Sequence, residues 1–90
     1  MRTALVKRTV RIGNPDGLHL RPAGAVCREA ERFNCSCRME IGQSTYNLKS
    51  VISVLSARIS RPKTVVLICD GPEEEQALKE LGDFLEGPIQ

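Results

Sequence analysis

The one histidine of the chain, His19, lies where a strand pattern gives way to a helix pattern. Upstream, the segment Asn14-Pro15-Asp16-Gly17 breaks the strand, and downstream the apolar residues recur at helical spacing. A helix that opens at about His19 leaves free amides just beyond it, because the first amides of a helix have no intrahelical partner. The sequence therefore predicts an anion site beside a titratable nucleophile.

Phosphoryl transfer is the chemistry that fits this placement. An imidazole has an ordinary pKa of about 6.5, so at neutral pH it is largely uncharged and can attack phosphorus. Arg21 follows at a distance from which its planar fork of donors can hold the added charge. Pro22 fits the first turn, where its missing N–H is not needed. The alternative is a histidine that only caps a helix, and Arg21 and Pro22 at these offsets favour the phosphoryl acceptor over it.

Two segments resemble a known family. Residues 17–23, Gly-Leu-His-Leu-Arg-Pro-Ala, match at every defined position the histidine-phosphorylation motif of HPr, the phosphocarrier of the phosphoenolpyruvate-dependent sugar phosphotransferase system. Residues 46–52, Tyr-Asn-Leu-Lys-Ser-Val-Ile, are similar to the stretch around the family's regulatory serine. The spacing between His19 and Ser50 is also the family's. The resemblance runs from about residue 7 to about residue 86.

The resemblance implies a bacterial phosphocarrier rather than an enzyme. Phosphorylated Enzyme I would pass its phosphoryl group to Nδ1 of His19, and the carrier would pass it to a histidine of an Enzyme IIA domain. Arg21 and the first amides of the helix would hold the group, with no metal or cofactor, in the cytoplasm. Two alternatives remain open. One is a nitrogen-related or purely regulatory HPr-like protein, and the other is a binding module without phosphotransfer.

Ser50 admits two interpretations that are compatible with each other. A serine before Val51-Ile52-Ser53-Val54-Leu55 is a good helix N-cap. The resemblance to HPr proteins of low-G+C Gram-positive bacteria instead implies phosphorylation by an HPr kinase/phosphorylase, which would add that kinase and a transcriptional regulator to the partners. A phosphoserine at a helix N-terminus is favoured by the same dipole.

Residues near these two positions are candidates for partner docking. They form an apolar arc that we expect to be partly exposed and a basic rim that would meet acidic partners. The candidates are Leu20, Arg28, Lys49, Val51, Ile52 and Leu55, with Arg58 as a further member of the rim. Each has a plainer alternative, burial in the core or solvated surface. Arg58 and Pro62 stand where the family usually has glycine.

Composition favours one compact domain spanning residues 1–90. The 41% hydrophobic content is ordinary, while one Tyr, two Phe and no Trp predict an aliphatic core. A net charge of +2 is too small to favour nucleic acid as a partner. The longest apolar run, residues 65–69, is too short to span a membrane, and no secretory signal is recognisable. We expect a monomer.

The four cysteines are predicted to be packed as small hydrophobes. Cys27 falls on the apolar stripe of the first helix, Cys35 and Cys37 share one face of a strand, and Cys69 ends the apolar run. Because there is no Cys-x-x-Cys spacing, this interpretation is preferred to a metal or redox site.

The rest of the chain completes a βαββαβα order. Strands are predicted at about 6–12, 35–42, 45–48 and 63–69, with helices at about 19–32, after Ser50, and after Asp70-Gly71-Pro72. This pattern predicts an α+β domain with three helices on one face of an antiparallel sheet. The resemblance sharpens the prediction to the open-faced β-sandwich of the HPr type, with strand order 1-4-2-3.

Overall fold

The computed structural model describes residues 5–89. Seven elements follow one another in the predicted order. Their bounds are β1 Val6–Ile12, α1 Leu20–Ala30, β2 Ser36–Ile41, β3 Ser44–Asn47, α2 Val51–Ser56, β4 Lys63–Asp70 and α3 Glu74–Glu86.

The four strands form one antiparallel sheet in the order β1-β4-β2-β3. β4 lies between β1 and β2, and four of its apolar residues, Val65, Leu67, Ile68 and Cys69, are buried. Val65 of β4 is opposite Val10 of β1, and Cys69 of β4 is opposite Cys37 of β2. The predicted α+β fold, an open-faced β-sandwich of the HPr type, is confirmed.

The three helices pack on one face of the sheet and bury an aliphatic core. Of the aromatic rings in residues 5–89, only that of Phe33 is buried, while Tyr46 and Phe84 pack at the margin. The largest fully buried side chains are aliphatic or sulfur-containing: Ile12, Leu18, Met39, Leu48, Leu67, Leu81, Leu85, Val10, Val26, Val54, Cys37 and Cys69. The predicted aliphatic character of the core is confirmed within this part of the chain.

The element ends differ from the predicted ones by one or two residues, for local reasons. α1 ends at Ala30 rather than at about residue 32, because the amides of Arg32 and Phe33 donate to the carbonyls of Glu29 and Ala30 in a tighter turn. β2 begins at Ser36, since the Cys35 amide donates to the Phe33 carbonyl instead of joining the ladder.

The β2–β3 connection is a tight hairpin. Ile41 is opposite Ser44, so Gly42 and Gln43 alone form the turn, and Gly42 has the positive φ of 61° that such turns require. No helix within residues 5–89 is both long enough and apolar enough to cross a bilayer.

Candidate functional site

The loop before His19 is fixed by a buried asparagine that the sequence analysis did not single out. Asn14 is 7% exposed. Its Nδ2 donates to the Gly17 carbonyl at 2.9 Å, and its Oδ1 accepts from the Ile89 amide at 2.9 Å. The side chain thus ties the loop to itself and to the segment after α3. The sequence shows only an Asn between a strand and a turn; its burial and its partner at residue 89, distant in sequence, come from the structure.

Gly17 lets the same loop approach the segment after α2. Its φ is 72°, and a Cβ atom there would lie 2.2 Å from the carbonyl oxygen of Ile59. The next amide, that of Leu18, donates to this carbonyl at 2.9 Å. Only glycine meets both the left-handed conformation and the close approach. The loop therefore delivers His19 to the surface beside the end of α2.

His19 is the N-cap residue of α1, but its side chain does not cap the helix. Its carbonyl accepts from the Ala23 amide at 2.8 Å, while the exposed imidazole makes no capping hydrogen bond. The amides of Leu20 and Arg21 are in the first turn, where no intrahelical acceptor is available. The geometry leaves a nucleophilic ring and two amides at the positive end of the helix dipole.

Arg21 is exposed one residue inside the helix, and Pro22 beside it is buried. Within residues 5–89 the Arg21 guanidinium has neither an ion-pair partner nor a hydrogen-bond acceptor. This contrasts with Arg8, which binds the carboxylates of Asp83 and Glu86 at 3.0 and 3.2 Å. Arg21 is therefore uncommitted and available to an anion bound at the helix start.

Ser50 caps α2 in the way the sequence predicts. Its backbone is extended, and its Oγ accepts from the Ser53 amide at 3.2 Å. The serine hydroxyl is half-buried. The N-cap interpretation is thus a structural fact, and it leaves the regulatory interpretation open.

α1 and α2 run in opposite directions, so the two candidate sites lie at opposite ends of this helix layer. At one end the Leu18 amide contacts Ile59, just after α2. At the other end the Lys49 ammonium, just before α2, donates to the Phe33 carbonyl at 2.8 Å, just after α1. α2 is about 9 Å long. Lys49 therefore belongs to the Ser50 end and not to a rim around His19.

The predicted docking residues divide into exposed and half-buried ones. Leu20 and Ile52 are 68% and 78% exposed, far more than apolar side chains of a core. Val51 and Leu55 are half-buried and pack against the core. The alternative in which the whole arc of α2 is buried is therefore wrong for Ile52. Leu20 follows His19 at the start of α1 and Ile52 follows Ser50 near the start of α2, so one exposed apolar residue lies near each candidate site.

Of the basic rim, Arg28 and Arg58 are exposed. Arg28 extends along α1 toward Gly24, where an added Cβ would lie 3.5 Å from its Nη1. Arg58 follows the C-cap of α2 with a φ of 55°, the left-handed region that favours glycine. This explains why the related family usually has glycine there.

All four cysteines are free and buried, as the packing interpretation predicts. The structure adds a proximity that their spacing did not reveal: the Sγ atoms of Cys35, Cys37 and Cys69 all lie within 4.8 Å of one another. Burial raises the pKa of the Cys35 thiol to about 11. The neighbouring Cys69 thiol, followed by burial, raises the pKa of Cys37. The signal that was missed is the register, which places Cys69 opposite Cys37.

The chain is similar to known proteins over nearly its whole length. Residues 6–87 match the family described as PTS HPr component phosphorylation site. The HPr-like protein Crh of Halalkalibacterium halodurans is 32% identical over 82 residues, which cover 91% of this chain and 98% of the relative.

Solved structures agree with the sequence comparison. The phosphocarrier protein HPr from Bacillus anthracis superposes with a TM-score of 0.86 at 29% identity, covering 92% of this chain and 99% of the other. The catabolite repression protein Crh of Bacillus subtilis, described as a domain-swapped dimer, has a TM-score of 0.75 at 30% identity and covers 84% and 87%. The expectation of a monomer therefore stays a prediction. By its family match over residues 6–87, the chain belongs to the PTS HPr family.

Proposed function

We propose that this protein is a phosphocarrier that accepts a phosphoryl group on Nδ1 of His19 from phosphorylated Enzyme I and transfers it to an Enzyme IIA domain in sugar uptake. The observation that carries the proposal is the exposed imidazole at the N-cap of α1 with no capping hydrogen bond. A histidine with only a structural role would be expected to use its ring nitrogens within the protein. HPr-type phosphocarriers are generally non-enzymatic, and here too the protein would be a covalent intermediate.

The transfer would proceed in line. A ring nitrogen of neutral His19 attacks phosphorus, the new N–P bond forms as the donor's N–P bond breaks, and the donor histidine keeps that electron pair. The phosphoryl oxygens then face the first-turn amides of α1, each contact being worth about 0.3–1 kcal/mol at an exposed helix terminus. The Arg21 guanidinium adds charge-assisted hydrogen bonds. Contacts of this size hold the group without trapping it.

Docking would use the exposed surface of α1 and α2, from the His19 end to the Ser50 end. Leu20 and Ile52 supply exposed apolar area, and Arg28 and Arg58 supply positive charge for partners with an acidic face. Such charges mainly set the rate of encounter and the choice of partner. We propose that these exchanges take place in the cytoplasm between a monomeric carrier and its protein partners, without a cofactor.

The test is incubation with Enzyme I, phosphoenolpyruvate and Mg²⁺. We expect one acid-labile, base-stable phosphoryl group per chain, and His19→Ala should abolish it. Folding of the variant is checked by circular dichroism, since an exposed residue contributes little packing. A control for general surface effects is Gln43→Ala in the exposed β2–β3 turn, which should be labelled like the wild type. Labelling that persists in His19→Ala would exclude the assignment.

A second candidate, a purely regulatory HPr-like protein, is favoured by the similarity to Crh, which is described as a catabolite repression protein. In that case Ser50 would be the modified residue, and Enzyme I would not label His19. The discriminating assay is incubation with an HPr kinase and ATP. Ser50→Ala should remove an acid-stable label, whereas Ser56→Ala, a variant of an exposed serine in the same helix, should not. Phosphorylation at both sites would indicate a carrier with serine regulation.

A further inference from the structure

The three-thiol cluster of Cys35, Cys37 and Cys69 lies in the core, remote from the chemistry proposed for His19. The three side chains are 8%, 0% and 0% exposed. We propose that these three thiols form a binding site for a soft cation that takes three sulfur ligands, Cu(I).

The distances fit a single ion. Metal–thiolate bonds are about 2.3 Å long, so three sulfurs arranged around one ion lie about 4 Å apart. The Sγ atoms of Cys35 and Cys37 are 3.8 Å apart, and no pair in the cluster exceeds 4.8 Å. To bring the two most widely separated Sγ atoms to about 4 Å, they must approach each other by about 1 Å or less, which small side-chain rotations allow.

The backbone holds the ligands in place before any ion arrives. Cys37 and Cys69 are directly opposite each other on the adjacent strands β2 and β4. Cys35 is fixed by a loop whose Asn34 amide donates to the Glu73 carboxylate at 2.7 Å. Gly71 packs so closely that an added Cβ would lie 2.7 Å from the Cys35 Cα. Two neighbouring strands and a pinned loop thus present three sulfurs to one point.

The donor set selects the ion. Within residues 5–89, no fourth His, Cys, Asp or Glu joins the three sulfurs, whereas structural zinc is almost always bound by four ligands. Burial also disfavours a water as fourth ligand. Thiolates prefer soft ions such as Cu(I). Three thiolates around a monovalent ion leave negative charge, and the Lys49 ammonium, which donates to the Phe33 carbonyl two residues before Cys35, places a positive charge near the cluster.

Binding involves no redox step. Each thiol loses its proton to the buffer, and the sulfur electron pair forms the bond to copper, which stays Cu(I). Apart from the three S–H bonds, no bond of the chain breaks. Because His19 takes no part, the copper site can be tested independently of the proposed phosphotransfer.

The experiment uses the full-length, reduced protein under anaerobic conditions, titrated with Cu(I) against a competing Cu(I) chelator such as bicinchoninate. We expect one tightly bound copper per chain, and X-ray absorption should count three sulfurs at about 2.3 Å. Cys35→Ser is the informative variant, because Cys35 is the most exposed of the three and its loss least perturbs the core. It should lose the third sulfur and bind at least tenfold more weakly.

The matched control is Cys27→Ala, which removes a buried cysteine outside the cluster and should bind copper like the wild type. The sulfur count of the wild type needs no variant, so the test survives if Cys35→Ser does not fold. Fewer than three sulfurs, or equal affinity of Cys35→Ser and wild type, would overturn the proposal. So would tighter binding of Zn²⁺ than of Cu(I), or a weaker site in Cys27→Ala.

Discussion

The N-termini of α1 and α2 differ in what they do with their free groups. At α2 the hydroxyl of Ser50 accepts from the Ser53 amide, so the cap side chain is used within the protein. At α1 the cap residue is His19, whose ring makes no capping bond, and the adjacent Arg21 has no partner in residues 5–89. A helix start whose cap side chain makes no hydrogen bond and which lies near an unpaired arginine offers a place where an external anion can bind.

The backbone conformation also differs between the two helix starts. The His19 end depends on Gly17 at a φ of 72° and on Arg58 at a φ of 55°. Ser50 has an ordinary extended backbone with φ of −121°. Within residues 5–89, two of the four residues with positive φ thus lie at the His19 end, while Gly42 lies in the β2–β3 turn and Gly71 follows β4.

Of the substitutions near His19, Gly17→Ala should destabilise the protein most. The new Cβ would collide with the Ile59 carbonyl in addition to the left-handed strain. We expect the free energy of unfolding to fall by about 3 kcal/mol or more. The measurement is urea unfolding at equilibrium.

Gly42→Ala is the matched control for Gly17→Ala. Gly42 has a similar φ of 61°, but nothing lies within 4 Å of an added Cβ. Only the conformational cost of about 1–2 kcal/mol remains. Equal losses in the two variants would show that the contact with Ile59 does not hold the loop.

Arg21→Ala should slow phosphotransfer from Enzyme I by about 10–100-fold, because hydrogen bonds to charged groups are worth about 1.5–3 kcal/mol. The free energy of unfolding should change by less than about 0.5 kcal/mol, since the side chain is exposed. Rapid-quench kinetics measure the first effect and urea unfolding the second.

Arg21→Lys separates charge from geometry. Lysine keeps the positive charge but lacks the planar fork, so we expect an intermediate rate. Arg28→Ala, at an exposed position later in α1, should change the rate of encounter rather than the rate of transfer in the complex. An Arg21→Ala rate equal to that of the wild type would mean that the helix amides alone hold the phosphoryl group.

The sequence predicts the fold well because the determinants are local or periodic. Alternation predicts β1, the apolar run predicts the strand β4, and the helical stripe predicts α1. The end of α1 is less predictable, because its last turn tightens through i to i−3 bonds that leave no residue signature. The strand order 1-4-2-3 follows from the family resemblance rather than from any local pattern.

The features of the candidate site likewise divide into those that the sequence predicts and those that it does not. His19, Arg21 and the cap at Ser50 are readable from spacing, since a helix start has a sequence signature. The role of Asn14 is not readable, because its Oδ1 is bonded to the Ile89 amide from the far end of the chain. The meeting of Cys69 with Cys35 and Cys37 depends on strand register. The distance of Lys49 from His19 depends on the direction of α2, which adjacency to Ser50 in sequence does not give.

Ser50→Ala tests the helix start whose cap side chain is used within the protein. Losing the bond from the Ser53 amide should lower the free energy of unfolding by about 0.5–2 kcal/mol. Ser56→Ala is the control in the same helix, because the Ser56 hydroxyl only donates to the Ile52 carbonyl within an exposed turn. We expect no measurable loss there, by thermal or urea unfolding.

Ser50→Asp tests regulation at the same position. Aspartate is itself a good cap, so stability should stay close to that of the wild type. If a negative charge here inhibits docking, phosphorylation of His19 by Enzyme I should slow, because the charge precedes the exposed Ile52 and would repel an acidic partner. Equal Enzyme I kinetics for Ser50→Asp and wild type would reject inhibition by charge.

Arg58→Gly should have the smallest effect and the opposite sign. Glycine removes the strain of the left-handed conformation, which should raise the free energy of unfolding by about 1–2 kcal/mol. Glycine also makes the unfolded chain more flexible, which should lower the free energy of unfolding by about 0.4–1 kcal/mol. We therefore expect the free energy of unfolding to rise by about 0.5–1 kcal/mol. Arg58→Ala keeps the strain and removes the charge, so it should give no gain. If Arg58 meets an acidic partner, both variants should reduce the rate of encounter with Enzyme I equally, and added salt should shrink the difference from wild type. A gain in stability from Arg58→Ala as large as that from Arg58→Gly would show that the charge of Arg58, and not its backbone conformation, destabilises the fold.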